Sequence, residues 1–164
     1  MKKQMNAQLE ELMPIMKLQI ANGQSVRFSP QGVSMLPMLR QGVDSVVISK
    51  APEQLKKYDL PLYQRENGQY VLHRIVETGD TYTCMGDNQF VKEYGVRQDQ
   101  IIAVVTAFYR DERKYKTEDL RYQMYCRLWY HSRHFRHLWN RGWRWVRRKG
   151  SAVYTIICGQ HGRR

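Results

Sequence analysis

The dipeptide Asn67-Gly68 constrains the fold of this chain most strongly, because it separates two strand-like runs. An Asn-Gly pair favours the turn of a β-hairpin, since both residues tolerate a positive φ. The run from Gln69 to Thr78 alternates apolar and polar residues, and Leu60 to Arg65 supplies its partner strand. A second turn at Gly79-Asp80 leads to a strand from Thr81 to Met85. The middle of the chain therefore predicts an antiparallel sheet.

Three further strands and an N-terminal helix extend this β region. The strands are predicted at Ser25 to Ser29, Asp44 to Lys50 and Ile101 to Arg110. Before them, apolar residues recur at steps of three and four and predict one amphipathic helix that ends near Asn22-Gly23. Pro14 lies inside this helix and is expected to kink it or to split it. The apolar positions are Met5, Leu9, Leu12, Met13, Met16 and Ile20.

One core of modest size is expected, because the chain has 164 residues and a hydrophobic content of 42%. Residues 116–148 are predicted to be helical, with a break at Asn140-Gly142. We expect a mainly β fold, with an N-terminal helix in residues 1–24, a catalytic β domain in residues 25–113 and a helical basic tail in residues 114–164.

The basic residues are concentrated in the tail. Residues 110–164 contain 15 Lys and Arg against 4 Asp and Glu, so nearly all of the net charge of +12 lies there. Arginines alternate in this segment with aromatic residues, a composition that favours a helix lying on an anionic membrane surface. We therefore predict peripheral membrane contact through residues 111–164. The tryptophans of the tail are Trp129, Trp139, Trp143 and Trp145.

Three other interpretations of the tail rank below or beside membrane contact. A basic stripe with aromatics also suits nucleic acid, but no nucleic-acid fold signature accompanies it. His131, His134 and His137 recur every third residue near Cys126, yet arginines interleave them, so zinc is not expected. The third is a partly packed tail with a solvated basic face. No cofactor is predicted.

Cysteine use and hydropathy bear on the compartment. Cys84, Cys126 and Cys158 form no CxxC pair, and an odd, scattered set favours reduced thiols and the cytoplasm. No signal peptide is recognisable, since Gln4 to Glu11 is too polar, and no apolar run reaches the length of a membrane span. A cytoplasmic or peripheral membrane protein is expected.

Three motifs in order carry the chemistry. The first, residues 32–39, places Ser34 between Gly32 and Pro37, where a turn would expose its hydroxyl; by itself it also fits a Met-rich core loop. The second, residues 70–77, carries His73 on a strand, and the third, Gly86-Asp87-Asn88, is a turn after a strand. A serine hydroxyl needs a base, and the base needs an orienting group.

This order of motifs resembles the type I signal peptidases, in the branch that uses histidine as the general base. The resemblance extends from about Phe28 to Val105 and includes the middle element Lys57-Tyr58-Asp59-Leu60. Two departures stand out. Tyr58 replaces the usual glycine of the middle element, and Gly32 replaces a residue whose hydroxyl often assists the oxyanion hole.

The resemblance implies a signal-peptidase-like serine endopeptidase with the antiparallel β scaffold that these enzymes share with SOS-type repressors. Ser34 is then the nucleophile and His73 the base, with the ordinary histidine pKa near 6.5. Asp87 orients His73, and Asp99 competes for that role. The oxyanion would accept a hydrogen bond from the Ser34 N–H. The predicted lining of the substrate groove is Gly32, Met35, Leu36 and Pro37.

Two other functions stay open on the sequence alone. A self-cleaving regulatory peptidase would use lysine as base, and the strand of His73 has none. A peptide-binding module would keep the cleft without turnover. The predicted partner is a peptide or precursor-protein substrate, and neither nucleic acid nor a metal is expected.

Overall fold

The computed structural model describes residues 2–133, with side chains from Leu9 onward. These residues form two α-helices, nine strands and one short 3-10 turn. The helices are α1 (Lys2–Ala21) and α2 (Leu120–His131), and the 3-10 turn is Gln98–Gln100. The strands are β1 (Val26–Phe28), β2 (Ser45–Ser49), β3 (Pro61–Gln64), β4 (Tyr70–Leu72), β5 (Arg74–Glu77), β6 (Tyr82–Met85), β7 (Glu93–Val96), β8 (Ile101–Arg110) and β9 (Arg113–Lys116).

Two antiparallel sheets organise these strands. The six-stranded sheet has the order β1-β2-β8-β3-β4, with β9 paired to β8, and the three-stranded sheet has the order β5-β6-β7. All strand pairs are antiparallel. The mainly β prediction is therefore confirmed at the level of an antiparallel β-rich domain with two helices. Strand β4 lies at an edge of the larger sheet.

The β3–β4 hairpin confirms the turn predicted at Asn67-Gly68, with a loop of three residues. The Arg65 N–H donates to the carbonyl of Gln69 at 2.9 Å, and Gly68 has a φ of +83°. A glycine in the left-handed region is typical of the last position of a three-residue loop. This loop sets the register in which Tyr63 lies opposite Val71.

The single strand predicted from Gln69 to Thr78 is divided at His73. Residues before His73 form β4 of the larger sheet, and residues after it form β5 of the smaller sheet. Leu72 is buried in one core cluster, whereas Val71 before His73 and Ile75 after it share the other, so a single predicted strand contributes to both sheets. His73 consequently lies at the junction between the sheets.

Helix α1 continues through Pro14 as one helix, so the division expected there is wrong. Pro14 and Glu10 lie on the exposed face, where water can hydrogen-bond the carbonyl that a proline leaves unpaired. On the opposite face Met13, Met16 and Ile20 are buried in the main core. This packing stabilises the helix as one element.

The compact unit that contains the β domain ends at Tyr130, so the boundary predicted between residues 113 and 114 falls inside it. Strand β9 extends the larger sheet, and α2 places Tyr122 and Cys126 in the main core. The predicted break at Asn140-Gly142, the zinc candidates His134 and His137, and three of the four tail tryptophans lie outside the described residues. Neither α1 nor α2 has the apolar content of a bilayer-spanning helix.

Candidate functional site

His73 is buried at the junction of the two sheets, with 5% of its surface exposed. Its Nδ1 atom lies 3.4 Å from the Tyr63 hydroxyl and 3.8 Å from Oε2 of Glu93. The Tyr63 ring meets the imidazole edge to face, with 6.4 Å between the ring centroids. The two polar groups that face Nδ1 therefore come from β3 and β7.

Burial lowers the pKa of His73 to about 4, because desolvation disfavours the charged imidazolium. The negative charges of Glu93 and Asp87 oppose this shift, and Arg65 adds to it. The pKa near 6.5 expected from the sequence is thus too high. At neutral pH the imidazole is uncharged, the form that a general base requires.

A polar array continues from His73 to the protein surface. The Tyr63 hydroxyl donates to Glu93 Oε2 at 2.8 Å, and Arg65 donates to both oxygens of the same carboxylate. This pairing lowers the pKa of Glu93 despite partial burial, while burial and Glu93 raise the pKa of Tyr63. Tyr63 therefore stays protonated beside a charged Glu93.

Ser34 is half-buried in a turn whose shape depends on two glycines. Gly32 has a φ of +95°, in the left-handed region, so a residue with a Cβ would be strained there. A Cβ on Gly86 would lie 2.7 Å from the carbonyl oxygen of Ser34, closer than any real contact. The Gly86 backbone can therefore approach Ser34 only because it carries no side chain.

Asn88, the last residue of the third motif, forms two hydrogen bonds to the turn that carries Ser34. Its N–H donates to the Ser34 carbonyl at 2.8 Å, and its side-chain amide donates to the Val33 carbonyl at 3.1 Å. The Gly-Asp-Asn turn thus contacts the backbone of the candidate nucleophile directly.

Ser34 and His73 line one cavity of about 400 Å³. One wall is the edge strand β4, and the opposite wall is the turn that carries Ser34. Of the four groove residues predicted from the sequence, Gly32 and Met35 line this cavity. The remaining lining residues are Pro30, Gln31, Val33, Leu39, Gln41, Arg65, Gln69, Tyr70, Val71, Leu72 and Gln89.

Comparisons with known proteins add no relative. No protein-family model, curated protein or solved structure matches the chain. The geometry of the cavity and its surroundings therefore carries the functional argument.

Asp87 pairs with Arg74 and not with His73. Two nitrogens of the Arg74 guanidinium donate to its two carboxylate oxygens, each at 2.8 Å, and both side chains are almost completely buried. Because Arg74 follows His73 in the chain, its side chain projects to the other side of the backbone. This position corrects the orienting role expected for Asp87.

Helix α2 completes the surroundings of this ion pair. The Trp129 indole N–H donates to the Asp87 carbonyl at 2.9 Å. Arg74 donates to the Tyr122 hydroxyl at 2.8 Å and to the Tyr58 carbonyl at 3.1 Å. The first half of the basic tail therefore supports the turn that contacts Ser34.

Asp99 lies on the surface, where it pairs with Arg97 at 3.0 Å and has a side-chain exposure of 69%. It is removed from the His73 surroundings described above, because the 3-10 turn directs it to solvent. Leu36 and Pro37 are absent from the cavity lining, and the Pro37 carbonyl accepts a hydrogen bond from Arg110. These positions correct the roles expected for the three residues.

Tyr58 retains the backbone conformation that a glycine would supply. Its φ is +79°, in the left-handed region. Its N–H donates to the Ile75 carbonyl at 2.8 Å, and its carbonyl accepts from Arg74. The departure of the middle element from Gly-Asp therefore changes the side chain and keeps the turn, at the cost of local strain.

Nothing in the described part of the chain groups three or more His, Cys, Asp or Glu side chains in a manner suited to a metal ion. Cys84 and Cys126 are buried free thiols, and Cys158 lies outside the described residues. The polar side chains that line the cavity include the Ser34 hydroxyl and the uncharged imidazole of His73.

Proposed function

We propose that the chain is a serine endopeptidase that resembles the signal peptidases, with Ser34 as nucleophile and His73 as general base. The observation that carries the proposal is the shared cavity: both side chains line the same space. His73 is uncharged at neutral pH, since burial lowers its pKa to about 4. The turn of the third motif holds the Ser34 backbone, through the Asn88 N–H and the close approach of Gly86.

The chemistry follows from these two groups. Ser34 Oγ would attack a peptide carbonyl carbon while its proton passes to His73, and the resulting oxyanion would accept a hydrogen bond from the Ser34 N–H. Collapse of the tetrahedral intermediate breaks the C–N bond, and His73 returns the proton to the leaving amine. Water then hydrolyses the acyl ester, with His73 again as base.

The substrate is expected to be extended. Among the described strands β4 ends the larger sheet beside the cavity, so a peptide or leader sequence could pair with it as an additional strand. Gly32 and Met35 would then contact the side chains near the cleaved bond. The signal-peptidase-like scaffold is part of this proposal.

The test is cleavage of a library of leader peptides, followed by mass spectrometry. Wild type is expected to cut at one type of position, and Ser34→Ala and His73→Gln are expected to cut nothing. Asp99→Asn is the matched control, because its carboxylate lies on the surface, and it should cleave normally. Equal cleavage by wild type and Ser34→Ala would contradict the proposal.

Two further outcomes distinguish the alternatives. If the chain is a peptide-binding module, wild type and Ser34→Ala should bind leader peptides equally well, and neither should yield a cleavage product. A self-cleaving regulatory peptidase would cut itself at a rate that does not depend on protein concentration, and would leave added peptides intact.

A second proposal concerns a membrane surface. Leu120, Met124 and Leu128 are exposed and follow one another at steps of four along α2, so they share one face. Arg121 and Arg127 are exposed on the same helix. An apolar stripe beside cations suits an anionic bilayer. We infer peripheral contact with an anionic membrane through this face.

Flotation with anionic vesicles tests this contact. Replacing Leu120, Met124 and Leu128 together by Gln should reduce flotation, and neutral vesicles should float neither protein. The matched control replaces the exposed residues Leu12, Ile15 and Leu18 of α1 by Gln. Substitutions are preferable to deletion of residues 111–164, because α2 belongs to the core. Equal flotation of both triple variants and wild type would refute the proposal.

A further inference from the structure

The Tyr63 hydroxyl lies between His73 and Glu93, and it is the nearest polar group to Nδ1 among the described contacts. It is 3.4 Å from Nδ1 and 2.8 Å from Glu93 Oε2. Glu93 Oε2 itself lies 3.8 Å from Nδ1. One carboxylate and one hydroxyl thus face the same ring nitrogen.

The hydrogen-bond donors and acceptors of Tyr63, Glu93 and His73 fix one tautomer of the imidazole. The single Tyr63 proton is directed to Glu93, because the charged carboxylate is the stronger acceptor. The tyrosine oxygen then offers a lone pair to His73, so Nδ1 carries the ring proton. In the uncharged imidazole Nε2 is consequently without a proton and can accept one.

The charges that face His73 come from three elements. Glu93 is on β7, Arg65 follows β3, and Asp87 follows β6. Arg65 is bound to Glu93 through both carboxylate oxygens, and Asp87 is bound to Arg74. Glu93 is therefore the carboxylate closest to the imidazole, with Arg65 holding it in place.

We propose that Tyr63 and Glu93 are the positioning residues of His73, in the role that the sequence suggests for Asp87. They hold the tautomer in which Nε2 accepts a proton, and they stabilise the imidazolium once that proton arrives. The inference rests on the proposed function for the source of the proton. The orientation of the imidazole is independent of it.

NMR of ¹⁵N-labelled histidine tests the orientation without any substrate. The signals of His73 are assigned by their loss in His73→Gln. In wild type the Nδ1-protonated tautomer should predominate, and Tyr63→Phe should shift the population towards the other tautomer. A His73 tautomer that is unchanged in Tyr63→Phe would overturn the proposal.

Titration of the same signals tests Glu93 and separates positioning from a general loosening of the structure. Glu93→Gln should lower the pKa of His73, because the negative charge of Glu93 raises it. A loosened structure would instead admit water and raise the pKa towards its ordinary value. Glu77→Gln is the control, since Glu77 pairs with Lys92 on the surface, and it should leave the titration unchanged. An unchanged or raised pKa in Glu93→Gln would overturn the proposal.

Kinetics provide the link to catalysis. Loss of a hydrogen bond to a charged group in the transition state should reduce kcat by about 10- to 100-fold in Tyr63→Phe and Glu93→Gln, with little change in KM. If kcat is unchanged in both variants, the positioning role fails while the peptidase proposal stands. If wild type cleaves no peptide, the peptidase proposal fails, and the NMR results still decide the orientation of His73.

Discussion

Replacement of Asp87 by Asn should destabilise the fold far more than the same change at Asp99. Asp87 and Arg74 form an ion pair whose side chains are 3% and 2% exposed, so the variant leaves a buried guanidinium without its counter-charge. Breaking a buried pair from one side costs about 3–5 kcal/mol. Asp99 is 69% exposed beside Arg97, and such surface pairs contribute roughly 0–1 kcal/mol.

Urea unfolding, followed by circular dichroism, measures the difference. With a slope of about 2 kcal/mol per molar urea, Asp87→Asn should lower the midpoint by roughly 2 M, and Asp99→Asn by a few tenths at most. The double variant Arg74→Met/Asp87→Leu removes both charges and should be more stable than Asp87→Asn. Equal midpoints for the two Asn variants would refute the argument that Asp87 is a structural partner of Arg74.

Two further predictions concern the candidate site. Gly86→Ala should displace the turn that holds Ser34, because the new Cβ would lie 2.7 Å from the Ser34 carbonyl oxygen. We expect the rate of peptide cleavage to fall at least 10-fold and the free energy of unfolding to fall by about 1–3 kcal/mol. Normal cleavage by this variant would contradict the close approach. The pKa of His73 also predicts acid sensitivity. In the unfolded chain His73 binds a proton below about pH 6.5, but in the folded chain it does so only below about pH 4. The free energy of unfolding therefore falls by about 3 kcal/mol as the pH is lowered across that range. Urea midpoints of wild type should therefore decline more steeply with acid than those of His73→Gln, and parallel declines would exclude the buried, uncharged imidazole.

The sequence predicts most strands of this fold, because alternation and turn residues are local signals. It predicts neither β7 nor β9, since each has only four residues and at least two of them are exposed. The division of the predicted strand at His73 is also not visible in the sequence, because residues buried against either sheet give the same pattern. Local periodicity cannot tell which sheet a residue joins.

The partners of His73 depend on strand register, and the motif order and the resemblance that point to Asp87 and Asp99 do not contain that register. A two-residue loop at Asn67-Gly68 would place Tyr63 opposite Leu72, on the face away from His73. The observed three-residue loop places Tyr63 opposite Val71 and so on the side of His73. Glu93 lies on β7, a strand that the sequence does not predict.

The contacts of α2 define how this protein could be divided or recombined. The Trp129 indole N–H donates to the Asp87 carbonyl. Arg74 donates to the Tyr122 hydroxyl and also forms the ion pair with the Asp87 carboxylate. A fragment that ends after β9 would contain the motifs of Ser34 and His73 but would lack the contacts of Tyr122 and Trp129. The smallest transplantable unit therefore extends at least to Trp129, and chimaeras joined before α2 would inherit the chemical groups without the framework that aligns them.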